Sequence, residues 1–222
     1  RAFKDPRYIR IHGKPLLLIY RASDLPDSAK TAGLWREAVR KAGIPGLYLC
    51  RVESFASEQT PPEEAGFDAA VEFQPDWSRL GQENGTFPDL HVFDYGTIVE
   101  RMIDKPQPGY LRFPCVTPSW DNTPRRGRDG YILHGSTPDL YERWLKEAVH
   151  RIRTHAPEEK IVFINAWNEW AEGNHLEPDQ AHGHGYLRAT QRALAMDSEP
   201  AYLNEKLTER AVAAMEKDRL AD

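Results

Sequence analysis

The chain has 222 residues, enough for one domain with a substantial core, and its 29 basic and 34 acidic side chains give a net charge of -5. No run of five basic residues occurs, which argues against nucleic acid as a partner, and the apolar runs are far shorter than the ~20 residues of a membrane-spanning helix. The first residues lack the apolar segment of a signal peptide, so a cytoplasmic location is favoured.

Strand-like and helix-like segments alternate along the chain. The first half contains strand 16–20, helix 29–42, strands 47–52 and 67–73, and a loop rich in proline and glycine at 75–88. The second half contains helix 95–104, strand 111–116, a long polar loop at 117–136, helix 137–155, a strand from 161, helix 186–196 and helix 199–220. This alternation predicts an α/β fold with a parallel sheet and right-handed crossovers.

The strand count leaves two architectures open. Five strands do not close a barrel of eight, so the chain is either an open doubly wound sheet or a part of something larger. Cys50 and Cys115 fall in two of the predicted strands, where a small buried hydrophobic role is commoner than a disulfide.

Two acids directly follow the last predicted core strand. Glu169 and Glu172 are three residues apart, so on a helical turn or tight loop both can face one pocket. Cleavage of a glycosidic bond needs two carboxyl groups in different protonation states. Trp167 and Trp170 supply apolar walls that could raise the pKa of one carboxyl group and stack on a sugar ring. Their position at the end of a strand favours this interpretation over solvated loop acids.

A second polar group follows strand 111–116 and should open onto the same face. Trp120 offers a ring, while Asp121, Asn122, Arg125 and Arg126 can bind hydroxyl groups or an anion. The alternative is a turn with solvated arginines. An arginine pair also suits a phosphate or a carboxylate, so a charged substrate stays open.

Weaker candidates lie at other loops. Tyr20, Glu53 and Glu72 end or follow the first three strands and are candidates for the mouth of the site, although each taken singly is more typical of a structural role. A dense group after the two acids could bind a metal, but its spacing fits no standard zinc signature; it consists of His175, Glu177, Asp179, His182 and His184. Solvated or substrate-facing histidines are favoured, and we predict no metal.

Several catalytic devices are missing from the sequence. There is no Gly-x-Ser-x-Gly elbow, no phosphate-binding Gly-x-x-x-x-Gly-Lys and no Gly-x-Gly-x-x-Gly. Nucleotide-cradling loops and serine-hydrolase chemistry are therefore not favoured, and no cofactor is expected.

Four regions of the chain form a recognisable set. They are Lys4-Asp5-Pro6-Arg7-Tyr8-Ile9 with Gly13-Lys14-Pro15-Leu16, Phe67-Asp68-Ala69-Ala70-Val71-Glu72-Phe73, Pro118-Ser119-Trp120-Asp121-Asn122-Thr123-Pro124-Arg125-Arg126, and Ala166-Trp167-Asn168-Glu169-Trp170-Ala171-Glu172-Gly173 with Leu176-Glu177-Pro178-Asp179. Together they resemble the WbsX-like proteins, which are grouped with glycoside hydrolase family 99, the endo-α-mannosidase family. The resemblance runs from residue 1 to about residue 197.

The resemblance implies a (β/α)8 TIM barrel of which this chain forms strands four to eight. Residues 1–197 would be the partial barrel domain and residues 198–222 a C-terminal helix. The first three strands would lie upstream of Arg1 or be supplied by another polypeptide. An incomplete barrel would expose apolar edges and an unpaired strand.

The resemblance also implies a retaining mechanism without a glycosyl-enzyme ester. Glu169 would take the proton from the sugar 2-hydroxyl, so that this oxygen displaces the leaving group and forms a 1,2-anhydro sugar. Glu172 would protonate the glycosidic oxygen and then activate water. Ala171 stands where the mannosidases carry a histidine, so the contacts to the sugar are expected to differ.

The leading hypothesis is therefore a cofactor-independent enzyme that cleaves or transfers a glycosidic bond in a bacterial oligo- or polysaccharide. The candidate substrate-binding residues are Tyr20, Glu72, Trp120, Asp121, Asn122, Arg125, Arg126, Trp167, Asn168, Trp170, His175 and Glu177. One alternative is a glycosyltransferase in surface-polysaccharide synthesis, in which the arginines hold the phosphates of an activated donor. Another is a non-catalytic sugar-binding remnant.

Overall fold

The computed structural model describes residues 2–195 of the chain. Its strands are β1 (Arg10–Ile11), β2 (Lys14–Ile19), β3 (Tyr48–Glu53), β4 (Ala69–Glu72), β5 (Leu90–Asp94), β6 (Arg112–Phe113), β7 (Cys115–Val116), β8 (Trp120–Asp121), β9 (Gly130–His134), β10 (Phe163–Ile164), β11 (Asn168–Glu169) and β12 (Asn174–His175). Its α-helices are α1 (Ser28–Lys41), α2 (Tyr95–Ile103), α3 (Thr123–Arg126), α4 (Pro138–Arg151) and α5 (Gly185–Ala195). The predicted helix 199–220 lies outside the described residues.

Parallel strands form the centre of the α/β fold. β2, β3, β4 and β6 pair in that order, and β7 continues the line by pairing with β10. β6 and β7 are one predicted strand interrupted at Pro114, which has no N–H to give to the sheet. The predicted set of five parallel strands is confirmed, with an α-helix in each connection except the one from β3 to β4.

Side chains alternate between the two faces of this sheet. The outer face packs against helices: Leu17 and Leu49 lie with the buried residues of α1, and Ile164 packs against the cluster that contains α2 and α4. The inner face carries a separate apolar cluster that includes Cys50 and Phe113. Both cysteines are free and buried, and burial raises the pKa of each thiol.

Burial decreases from the centre of the sheet to its two outer strands. Every residue of β3 and β4 is buried, whereas both residues of β10 are only half-buried. On the inner side of β2, Leu18 is 38% exposed and Tyr20, just after the strand, is 50% exposed. Within residues 2–195 the line of parallel strands therefore has apolar surface at both ends, as the resemblance implied, although β1 pairs antiparallel with Lys14 and Pro15 of β2.

The predicted loop 117–136 is wrong over much of its length. It contains α3 and two short strands, and β9 pairs in parallel with β5 and antiparallel with β8 to form a second sheet. The apolar part of β9 is only Tyr131 to Leu133, between Gly130 and His134, and its partner β5 lies far upstream. A pairing of this kind leaves little periodic signal in the local sequence.

Helix boundaries follow their caps more closely than the apolar pattern. Asp27 accepts a hydrogen bond from the Lys30 N–H at 2.8 Å and starts α1, and Thr137 accepts one from the Leu140 N–H and starts α4. α4 ends at Arg151, four residues before the predicted end. Among the described helices, none combines the length and the apolar character needed to cross a bilayer.

Candidate active site

A cavity of 460 Å³ lies at the carboxyl ends of the parallel strands. Its walls come from the segments that follow these strands: Tyr20, Phe73, Trp77, Trp120, Asn122, Arg125, Arg126 and Glu172. In parallel α/β barrels the active site is built from the loops at the carboxyl ends of the strands, and the opposite edge contributes mainly to stability. Five of the predicted site residues lie in this wall together with Glu172.

Glu169 and Glu172 belong to a hairpin formed by β11 and β12. A short 3-10 helix, Trp170–Glu172, connects the two strands, with Glu169 as its N-cap. Glu169 precedes this turn and Glu172 is its last residue, so the turn separates the two carboxyl groups by only three positions. Glu172 lines the cavity, whereas Glu169 is not one of its lining residues.

The environments of the two carboxyl groups differ. Glu169 is half-buried and its side chain has no hydrogen-bond or ion-pair partner among residues 2–195. Glu172 accepts a hydrogen bond at 2.5 Å on Oε1 from Nη1 of Arg125, and its Oε2 has no such partner in the described part of the chain. One carboxylate is thus free, and the other is held at one oxygen by a guanidinium.

Asp121 fixes the start of the short helix that carries Arg125. Its Oδ1 accepts hydrogen bonds from the N–H of Thr123 at 3.0 Å and from Thr123 Oγ1 at 2.6 Å. These bonds form an Asx turn that leads into α3, the helix that carries Arg125 and Arg126. The structure thus gives Asp121 a structural contact, with Oδ2 left available.

The hairpin is fastened to the loop after β7 at three points. Ser119 Oγ donates to the carbonyl of Gly173 at 2.5 Å, and Thr117 Oγ1 donates to Asn174 Oδ1 at 2.9 Å. Gly173 has φ +57°, and a Cβ at this position would lie 2.9 Å from the backbone N of Asp121. Only glycine fits this close approach without a shift. Sequence reasoning did not single out these positioning contacts.

The far side of the hairpin has its own side-chain network. The rings of Trp170 and His175 stack with centroids 3.7 Å apart, and Trp170 Nε1 donates to Glu177 Oε2 at 2.6 Å. His175 Nε2 lies 3.2 Å from Asp179 Oδ2. Partial burial works to raise the pKa of Asp179, but hydrogen bonds from the His182 N–H and the His175 ring outweigh it, so the pKa lies below its ordinary value. Across residues 2–195, no three His, Cys, Asp or Glu side chains are gathered as metal ligands.

Three aromatic residues that the sequence analysis did not select belong to the site. Trp77 stands edge-on to Trp120 at 5.3 Å and to Tyr131 at 5.2 Å, and Phe73 meets Tyr20 at 5.7 Å. Trp77 follows the third parallel strand, so the rule that selected residues at strand ends could have found it. Trp167 and Asn168 are exposed and are not part of the cavity wall.

Glu72 lies on the opposite face of the sheet from the cavity. Val71 belongs to the inner cluster and Phe73 packs against it, so the intervening Glu72 points outward. It is 4% exposed, with Oε1 2.7 Å from Lys105 Nζ and 3.8 Å from Arg112 Nη2. Glu53 is held in the same layer by Arg112 at 3.3 Å. Phe73, and not Glu72, contributes to the cavity wall.

Sequence comparison identifies related proteins. The family model described as "Glycosyltransferase WbsX" matches residues 1–190. A Xanthomonas campestris pv. campestris (strain B100) protein, "Uncharacterized protein WxcX", is 41% identical over 201 residues, which cover 87% of this chain and 29% of that protein. Its counterpart from strain ATCC 33913 is 40% identical over the same coverage. The chain therefore spans less than a third of the length of these relatives.

Structural comparison identifies similar folds at low sequence identity. A solved structure titled "Glycoside hydrolase-like protein" aligns with TM-score 0.59 at 19% identity, covering 86% of this chain and 57% of its own. A GH99 endo-alpha-mannosidase from Bacteroides thetaiotaomicron aligns with TM-score 0.51 at 18% identity, covering 88% and 57%. At this identity the likeness concerns the fold, and this chain corresponds to a little over half of each neighbour.

Proposed function

We propose that this chain, which belongs to the family described as glycosyltransferase WbsX, carries the catalytic face of a retaining enzyme that cleaves a glycosidic bond in a polysaccharide. One observation supports this proposal above the others. Glu169 and Glu172 flank a 3-10 turn at the carboxyl ends of the parallel strands, and Glu172 lines a cavity that is walled by aromatic rings.

In the proposed first step, Glu169 removes the proton from the 2-hydroxyl of the sugar. The 2-oxygen attacks C1 and forms the C1–O2 bond of a 1,2-anhydro sugar, while the bond from C1 to the leaving oxygen breaks. Glu172 gives its proton to that oxygen as it leaves. No side chain among residues 2–195 occupies the Glu169 carboxylate, which leaves it open to the 2-hydroxyl, and Oε2 of Glu172 is open to the leaving oxygen while Arg125 holds Oε1.

In the proposed second step, water attacks C1 and Glu172 accepts the proton of that water. The C1–O2 bond breaks, and O2 recovers its proton from Glu169. Two inversions at C1 return the original configuration, and both carboxyl groups end in their starting states. Tyr20 and Trp77, the two exposed aromatic residues of the cavity wall, would pack against sugar rings during both steps.

We further propose that the five parallel strands are strands four to eight of a (β/α)8 barrel. In such a barrel β2 would pair with a third strand and β10 with a first strand, both outside residues 2–195. The exposure of the inner side of β2 and the incomplete burial of β10 support this arrangement. The missing strands would come from further sequence of the same protein or from a partner chain, and they would supply the other wall of the cavity.

Glutamate substitutions in the natural-length protein test this function. Incubation with bacterial polysaccharide fragments should produce new reducing ends, and Glu169→Gln and Glu172→Gln should each reduce the rate by at least about 100-fold. Glu63→Gln serves as the control and should keep the wild-type rate, because Glu63 is an exposed acid in the 3-10 helix Pro62–Ala65 and does not line the cavity. A loss below about 100-fold in Glu169→Gln would remove the base role from this residue.

Glycosyl transfer is the second candidate, and the description of the family favours it. A transferase should show saturable binding of a nucleotide-linked or lipid-linked sugar and should form product only with that donor. A hydrolase should do neither. A protein that binds sugar fragments but shows no turnover with or without donors, even with the barrel complete, would be a sugar-binding remnant.

A further inference from the structure

A smaller compartment of 260 Å³ adjoins the main cavity. It is lined by Trp77, Asn122, Arg126 and Tyr131, and all of these except Tyr131 also line the main cavity. Trp77 packs edge-on against Trp120 on the main-cavity side and against Tyr131 in the compartment. The compartment therefore continues the main cavity along the second sheet, past the wall formed by Trp77.

Of the two adjacent arginines of α3, one forms an ion pair and the other does not. Arg125 is neutralised by Glu172, whereas Arg126 has no acidic partner among residues 2–195 and lies with its Cζ 5.9 Å from the centroid of the Tyr131 ring. The compartment wall contains no carboxylate. The net charge of the compartment is therefore positive, and its source is Arg126 alone.

Asn122 adds a directed hydrogen-bond donor. It is 5% exposed, and its Oδ1 accepts the N–H of Tyr131 at 2.7 Å, which fixes the amide group in place. Its Nδ2 has no hydrogen-bond partner in the described residues, so both N–H bonds are available to a ligand. Two aromatic side chains, one fixed amide donor and one guanidinium without an acidic partner among the described residues thus line the same space.

We infer that this compartment binds a sugar unit that carries a carboxylate, next to the unit whose bond Glu169 and Glu172 act on. This inference rests on the proposed function, because it assigns the acidic group to the same saccharide. A guanidinium binds a carboxylate through two parallel hydrogen bonds, and pyranose rings pack on aromatic faces. A diphosphate is a poorer fit, because its usual sites offer several backbone N–H groups at a glycine-rich loop, and this wall offers a single cation.

Binding measurements test the inference separately from catalysis. The natural-length protein with Glu169→Gln, which prevents turnover, would be applied to a panel of bacterial oligosaccharides that contain hexuronic acids and to the same glycans after methyl esterification. The acidic form of at least one glycan should bind at least about tenfold more tightly than its ester. Arg126→Gln should abolish this difference while affinity for the ester stays within about twofold.

Arg128→Gln is the matched control, since Arg128 lies two residues away and pairs with Asp89 at 3.6 Å. It should keep the preference for the acidic form. Equal affinity for acid and ester across the panel, or a preference that survives Arg126→Gln, would overturn the inference. Displacement by UDP or inorganic pyrophosphate, but not by free glucuronate, would assign Arg126 to a phosphate instead. Full activity of Glu169→Gln would reject the proposed function and leave this binding result valid on its own.

Discussion

Arg125 Nη1 and Glu172 Oε1 are 2.5 Å apart and connect the loops that follow two neighbouring strands, β7 and β10. The contact depends on the Asx turn at Asp121 on one side and on the 3-10 helix Trp170–Glu172 on the other. An exposed ion pair adds little stability, so this contact is better placed to orient the carboxyl group than to hold the fold together.

Arg125→Ala should reduce kcat by about tenfold to 100-fold with a much smaller change in KM, because Glu172 loses the group that fixes Oε1. Arg125→Lys should recover part of the rate, since an ammonium can still reach one oxygen. Steady-state kinetics on the natural-length protein measure this. A change confined to KM would show that Arg125 binds the substrate and does not position Glu172.

Gly173→Ala should reduce both stability and activity. Alanine at φ +57° is strained by about 1 kcal/mol, and its Cβ would also lie 2.9 Å from the Asp121 backbone N, which pushes the hairpin off the loop after β7. Gly183→Ala is the control, because Gly183 has φ +53° but nothing within 4 Å of the added Cβ. In urea titrations both variants should be destabilised by the backbone strain, Gly173→Ala more so because of the added contact, and only Gly173→Ala should lose most of its activity.

The parallel strands could be predicted from the sequence because each is a short apolar run set apart by longer connecting segments. Glu169 and Glu172 directly follow the last of these runs, which is why they could be placed at a strand end. Pairing between distant segments could not be read locally, which is why β9 was missed. Register also matters: the two-residue period puts Phe73 on the inner face and Glu72 on the outer one, and a rule based only on strand ends ignores that difference.

Lys105 should be essential for stability although it lies outside the cavity. Its Nζ lies 2.7 Å from Glu72 Oε1 and 2.6 Å from Asp76 Oδ2, and all three groups are buried. Lys105→Met leaves two buried carboxylates without this cation and should reduce the free energy of unfolding by about 3–5 kcal/mol. Lys41→Met, which removes the exposed pair with Glu37, should reduce it by less than about 0.5 kcal/mol.

The pH dependence of stability should also depend on the ion pair between Asp76 and Lys105. Burial works to raise the pKa of Asp76, but the bonds from Lys105 and Ser78 outweigh it and hold the pKa below its ordinary value. A depressed folded-state pKa stabilises the protein above the unfolded value of about 3.9, and that contribution is lost as pH falls from about 5 to 3. In Lys105→Met burial dominates, so this part of the pH dependence should shrink or reverse. The measurement is the free energy of unfolding from denaturant titrations at several pH values between 3 and 6. If its dependence on pH is the same in Lys105→Met as in the wild type, Lys105 does not control the protonation of Asp76.

Leu18 tests whether further strands cover the inner side of β2. It is 38% exposed within residues 2–195, and truncation of such a residue should cost little if nothing else packs there. In a complete barrel the side chain would be buried, and Leu18→Ala should reduce the free energy of unfolding of the natural-length protein by about 2–4 kcal/mol. Leu34→Ala, at a position that is 56% exposed on the helical side, should stay below about 1 kcal/mol. Equal small effects for both variants would mean that the inner side of β2 faces solvent in the whole protein, and the proposed barrel would then be incorrect.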